Sequence, residues 1–269
     1  MARLKPLCFE HLAAFPGVVH GVFSRTGGNS SGDWSGLNIG LSTGDDPVIV
    51  QENRSDMMAS LGLTRALFLN QVHGADILVI KPDTDLDGLL WEKGKGSAAR
   101  PLTADGVVTN VGKIGLVIQV ADCQAVLLYD PVNQVIANVH SGWRGSLENI
   151  TGRCVDTMIK EFDCRPIDIR VGISPSLGPC CAEFIHYETE IPKRFWHYKR
   201  KERPYFDFWQ ISKDQLEAKG VIQDHISVMG QCTKCCSDQF YSYRAQKTTG
   251  RFGAVIALNS VKESNKSHE

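Results

Sequence analysis

The sequence predicts an α+β fold with mixed β-sheets. Short apolar runs such as "VVHGVFS", "DILVI", "IGLVIQV" and "FGAVIAL" read as strands and cluster in groups. Single helical patterns separate the groups, which points to mixed sheets with helices packed on them. No linker or low-complexity segment interrupts the 269 residues, so 1–269 reads as one domain with a disordered tail from about residue 260.

The elements follow in order. "VVHGVFS" (18–24) is a strand, and "RTGGNSSGDWSGLNIG" (25–40) is a loop too polar for a core. "DPVIVQENRSDMMASLG" (46–62) predicts a helix with Asp46 as N-cap, Pro47 at the first helical position and Gly62 at the stop. "RALFLNQVHG" (65–74) and "DILVI" (76–80) are strands, and 81–101 is a long mixed surface loop. "DGVVTN" and "IGLVIQV" are strands leading into a hairpin, "AVLLYDPVNQVIANV". "GSLENITGRCVDTMIKEF" (145–162) has apolar residues at spacings of three and four, a helix. "DIRVGIS" (168–174) is a strand, and "PSLGPCCAEFIHYETEIPKRF" turns and then enters a helix. "FWQISKDQLEAKGV" (208–221) contains a helix capped by Ser212 and Gly220; "HISVMG" and "FGAVIAL" are the last strands.

Composition excludes several partners. With 29 basic and 30 acidic residues the net charge is −1, which gives no electrostatic basis for binding nucleic acid or an anionic membrane. No apolar run approaches the roughly 18–20 residues that span a bilayer. The first residues lack the apolar stretch of a secretory signal, so the expectation is a cytoplasmic protein. Nine cysteines, an odd number in a chain too long to need a disulfide scaffold, point to reduced thiols and to metal or catalytic roles for some of them.

The hairpin carries the strongest chemical signal. If Asp130 and Asn133 close the "DPVN" turn, paired residues sum to 263, which sets Cys123 opposite His140. A bulge at the turn shifts the partner to 141. Opposed β-carbons lie roughly 4.5–5.5 Å apart, close enough to share a metal ion or to act as a catalytic pair. His73, at a strand end beside Gly74, is a third candidate. His73, Cys123 and His140 would give zinc three ligands and leave the fourth position open. A thiolate with two imidazoles suits zinc or copper. "CTKCC" (232–236) with Cys180–Cys181 has a C-x-x-C spacing but no matching partner pair, so reduced structural thiols are the expectation there.

The order of "SRTGGNSSGDWSGLNIG", "GDDP…ENR", "NQVHGAD", "TADGVVT", "ADC", "NVHSGWRG", "LGPCCAEF", "SYR" and "TGR" resembles the YfiH family, also labelled the laccase-domain or multicopper polyphenol oxidase family. The resemblance runs from about Phe9 to Leu258. It implies one mixed α/β unit built from two related β-rich halves. It also implies a zinc purine nucleoside phosphorylase that cleaves inosine, guanosine, adenosine and methylthioadenosine with phosphate and deaminates adenosine. The family's metal ligands fall on His73, Cys123 and His140. The chain departs from the family pattern at Gln124–Ala125, in "HSGWRG", in "CCAEF" and in the length of the 81–101 loop, which bears on substrate preference and access.

The remaining expectations follow from the chemistry. Asp122, beside Cys123, is the candidate proton-transfer carboxylate, with a supporting role as the alternative. Phosphate needs cations, and Arg144 is the first candidate, followed by Arg25 and Arg54. The Gly-rich loop that contains Asn38 would cradle phosphate or ribose through backbone N–H groups, and Trp143 would stack on a base or fill core. The partners implied are a purine nucleoside and inorganic phosphate, with the protein a monomer or weak homo-oligomer. Two other readings remain. A copper polyphenol oxidase needs many histidines in His-x-His pairs, and the eight here form none. A metal-free hydrolase with Cys123 as nucleophile and His140 as base, as in cell-wall precursor editing, leaves His73 without a task.

Overall fold

The computed structural model of the chain describes residues 4–95 and 101–259. The proposed tail from about 260, and residues 96–100 of the long loop, lie outside the described residues. The strands are β1 (Val18–Val22), β2 (Arg65–Phe68), β3 (Ile77–Ile80), β4 (Trp91–Glu92), β5 (Gly106–Thr109), β6 (Gly115–Val120), β7 (Gln124–Asp130), β8 (Val135–Ser141), β9 (Arg170–Ile173), β10 (Ile226–Val228) and β11 (Phe252–Leu258). The α-helices are α1 (Glu10–Ala13), α2 (Pro47–Ser60), α3 (Trp143–Leu147), α4 (Ile150–Phe162), α5 (Tyr187–Glu190) and α6 (Phe208–Glu217). Among the described residues no helix is long and apolar enough to cross a membrane.

The strands form two mixed sheets, β1-β11-β6-β2-β4 and β10-β9-β7-β8-β5-β3. Within the first, β2 and β6 run parallel while β11 pairs antiparallel with both β1 and β6; within the second, β3 and β5 run parallel and β7–β8 is the antiparallel hairpin. The inner faces meet in one core that includes Leu116, Ile118 and Ala254 from the first sheet and Leu127, Tyr129 and Ile136 from the second. Helix α2 covers the outer face of the first sheet through Met57 and Met58. Helices α4 and α6 cover the outer face of the second through Val155, Met158 and Leu216. Because both faces of β7 and β8 are covered, these strands are apolar at most positions and buried throughout.

Asn138 is the polar residue in the middle of β8, whose other polar residues, His140 and Ser141, stand at its end. Its side-chain amide donates to the carbonyls of Leu116 on β6 and Ala254 on β11, both at 2.9 Å, and so ties the two sheets together through their core.

Several local expectations are corrected. The hairpin pairs Ala125 with His140 and Gln124 with Ser141, a sum of 265 in place of 263. The loop is longer than a two-residue turn because Asp130 Oδ1 accepts from the N–H groups of Val132 and Asn133, and Gln134 takes φ 56°. The shift of two residues preserves the strand face, so Cys123 and His140 remain diagonal neighbours. The segment 145–162 is two helices, because Asn149 adopts φ 60° and caps α4 by accepting from Gly152 N–H. Asp207, not Ser212, caps α6 by accepting from Gln210 N–H; Ser212 lies inside the helix and donates to Gln124 Oε1. The helix expected after "LGPCC" is the four-residue α5. The 81–101 loop carries β4, whose Trp91 is buried and donates to Gln51 Oε1. Asp46 and Pro47 start α2 as the sequence indicates, with Asp46 accepting from Val48 N–H at 2.8 Å.

Candidate metal centre and cavity

The site forms where the chain passes from one sheet to the other. Strands β2 and β6 are parallel neighbours, so both leave the first sheet at the same end. The segment after β2 carries His73 on its way to β3, and the segment after β6 carries Cys123 at the entrance to β7. Gln71 fastens these two exits together: its amide donates to Gln119 O and accepts from Gln119 N–H, both at 2.9 Å. His140 arrives at the end of β8.

The donor atoms of His73, Cys123 and His140 all lie within 4.8 Å of one another. The two imidazoles meet edge to face, with ring centroids 4.7 Å apart. Gly142 leaves the space they share: a β-carbon there would lie 3.1 Å from Cys123 Sγ and 3.1 Å from His73 Cδ2.

Asp105, fully buried, organises the group. Its carboxylate accepts from His140 Nδ1 at 2.7 Å, from His73 N–H at 2.9 Å and from Gly74 N–H at 2.7 Å. These bonds hold His73 at φ 62°, a conformation a histidine seldom adopts. Burial works to raise the Asp105 pKa, but the His140 bond and the two backbone donors outweigh it and keep the carboxylate ionised. An ionised acceptor makes His140 Nδ1 the protonated nitrogen and leaves Nε2 facing Cys123 and His73.

Electrostatics favour a thiolate at Cys123. Burial would raise its pKa, but the His140 charge and hydrogen bonds from His140 and His73 bring it down to about 6. For His140, burial pulls downward, and the Cys123 and Asp105 charges push it up to about 9. These shifts pair a thiolate with an imidazolium; a cation such as zinc would replace the His140 Nε2 proton, and the donor set fits it: a thiolate, an imidazole whose Nδ1–H is fixed by Asp105, a second imidazole and an open side.

That open side is a cavity of about 600 Å³. Apart from the three donors, its wall includes Asp122, Gln124, Trp143, Phe184, Phe208 and Tyr243, and the cations Arg144, Arg244, Lys247 and Arg251. Trp143 packs edge to face on Phe184 at 5.7 Å, and the Arg144 guanidinium lies 4.7 Å from the Trp143 ring. Burial lowers the Arg251 pKa.

The other sequence candidates are placed elsewhere. Arg25 lines a separate, smaller cavity and donates to the carbonyls of Ser35 and Ser237. Arg54, on the buried face of α2, is stacked 3.8 Å from the Phe68 ring, where burial brings its pKa down to about 9. It donates to Ile39 O and to Gln119 Oε1, so it backs the wall through Gln119. Asn38 is also buried and stands behind the wall, where its Oδ1 accepts from the N–H groups of Arg251 and Gly40. Asp122 is at the cavity with φ 92°, and its carboxylate accepts from Thr233 Oγ1 and Arg244 N–H, both at 2.6 Å. Arg244 and Arg251, which belong to "SYR" and "TGR", and Asp105, in "TADGVVT", were not among the sequence candidates.

The signature of the multi-copper polyphenol oxidoreductase laccase family matches residues 19–259. The chain belongs to this family. Among its relatives is purine nucleoside phosphorylase YlmD of Geobacillus stearothermophilus, 31% identical, with 90% of each chain covered. A purine nucleoside phosphorylase of Deinococcus radiodurans is 32% identical, covering 90% of this chain and 89% of its own. The crystal structure of the YfiH protein of Bacillus licheniformis superposes with a TM-score of 0.80 at 26% identity, covering 90% of this chain and 92% of that one. The laccase-domain fold is therefore shared along nearly the whole length, and the homologues' names support an enzyme.

Proposed function

We propose that this laccase-domain protein is a zinc-dependent purine nucleoside phosphorylase with adenosine deaminase as a second activity. One observation carries the reading: a single cavity joins the His73–Cys123–His140 donors to four cations and an aromatic wall. Relatives named as purine nucleoside phosphorylases support it.

In this reading His73, Cys123 and His140 hold zinc, which supplies a Lewis acid when bound. Asp105 keeps the His140 proton on Nδ1. Arg144, Arg244, Lys247 and Arg251 bind inorganic phosphate, since guanidinium groups match phosphate oxygens in charge and geometry. Trp143, Phe184 and Phe208 take the purine face and exclude water from around it. A phosphate oxygen then attacks the ribose anomeric carbon as the bond to the purine nitrogen breaks and its electron pair leaves with the base. Asp122 acts by positioning: each carboxylate oxygen is engaged, one by Thr233 and one by the main chain of Arg244.

The test is phosphate-dependent release of hypoxanthine from inosine, run together with metal analysis. Ammonia release from adenosine in phosphate-free buffer tests the deaminase. Turnover absent with every purine nucleoside in zinc-loaded protein would sink the reading. Copper is the alternative metal for the same donors. A laccase cluster asks for more imidazoles than the two in this group.

A further inference from the structure

A second group of soft ligands lies outside the centre already described. The loop after β9 and the loop after β10 are laced together, with Ser176 N–H donating to Gln231 O at 3.2 Å and Thr233 N–H to Ser176 O at 3.0 Å. This brings Cys180 and Cys181 from one loop against Cys232 and Cys235 from the other. The four sulfurs lie within 4.8 Å of one another. Cys235 Sγ is 3.6 Å from Cys180 Sγ and 3.5 Å from Cys181 Sγ. A disulfide needs about 2.05 Å. Sulfurs bound at about 2.3 Å to one tetrahedral zinc stand about 3.8 Å apart.

We propose that Cys180, Cys181, Cys232 and Cys235 form a second metal site, a closed tetrathiolate that takes zinc. The expectation of plain structural thiols is revised by this pairing of loops, which C-x-x-C spacing alone does not reveal.

The surroundings suit that ion. Cys232 is buried, and the N–H groups of Cys235, Gly178 and Lys234 point at its sulfur, as donors do around a metal-bound thiolate. Binding of a divalent cation would displace the thiol protons to solvent. Four sulfur donors leave no open position, so the ion is structural. It clasps two loops that both reach the cavity: Leu177, Ala182 and Phe184 come from one, Tyr243 and Arg244 from the other.

Zinc content and cobalt(II) spectra of the full chain test this. Wild-type protein should hold two zinc ions per chain. His140→Ala should keep one, whose cobalt form shows the intense sulfur-to-metal charge transfer of four thiolates. Cys235→Ser and Cys181→Ser should lose that signature and keep the other ion. If those variants do not fold, alkylation of wild-type protein followed by mass analysis decides: zinc should protect these four cysteines together, and a chelator should expose them together. A folded His140→Ala protein without zinc, a disulfide among the four in zinc-loaded protein, or alkylation indifferent to zinc would each overturn the proposal.

Discussion

Asp105 and His140 are joined twice: His140 Nδ1 meets the Asp105 carboxylate at 2.7 Å, and His140 N–H donates to the Asp105 carbonyl at 2.6 Å. The same carboxylate carries the His73 and Gly74 amides, so one side chain sets two of the three donors. Asp105→Asn replaces an acceptor by a group that must donate on one side. Metal affinity should fall by about 10–100-fold, measured by chelator competition, with the fold retained.

Cys123→Ala and His140→Ala should each abolish phosphorolysis of inosine and remove one equivalent of metal. Full activity in either variant would refute the centre.

Gly142→Ala places a methyl group 3.1 Å from two of the donor side chains, at a backbone conformation (φ −77°) that alanine accepts without strain. The variant should melt near the wild-type temperature yet bind metal at least about tenfold more weakly, because the donors must move apart. Unchanged affinity would mean the space is not used.

Arg244→Ala and Arg251→Ala should raise the KM for phosphate by about tenfold or more, the loss of a charge-assisted contact, with a smaller effect on the KM for nucleoside. Arg25→Ala should leave both constants unchanged, since its guanidinium is held at Ser35 and Ser237 away from the cavity.

His20 predicts an acid limb in stability. Its buried Nε2 accepts from Phe9 N–H at 2.8 Å, and burial, helped by the charge of His11, brings its pKa down to about 4. The unfolded chain takes up this proton near pH 6.5 and the folded chain does not. Stability is therefore full above that pH and lost as pH falls toward 4, by at most about 3 kcal/mol. His20→Gln offers an acceptor that does not titrate, and should flatten the limb in urea melts.

The three candidate donors, His73, Cys123 and His140, were legible in the sequence because they sit at strand ends in short, chemically distinctive runs. Its hairpin register was off by two, and Cys123 still met His140, because a shift by two returns a strand to the same face. What it hid is long-range. Arg251 N–H is held by Asn38, 213 residues away, and Arg244 N–H by Asp122, 122 residues away. No local periodicity encodes such contacts. The break at Asn149 escaped for another reason: the apolar spacing continues across it, and a single left-handed residue interrupts the helix without disturbing the pattern.

Asn138, two residues before His140 on β8, bonds to β6 and β11 of the opposite sheet. His73 and Cys123 lie on segments that come from that opposite sheet. The donors therefore act as a vernier between two plates: their convergence depends on each plate's position relative to the other. A substitution that lets the plates slip, such as Asn138→Leu, should register first as a weaker affinity for added zinc, while the strands themselves stay intact.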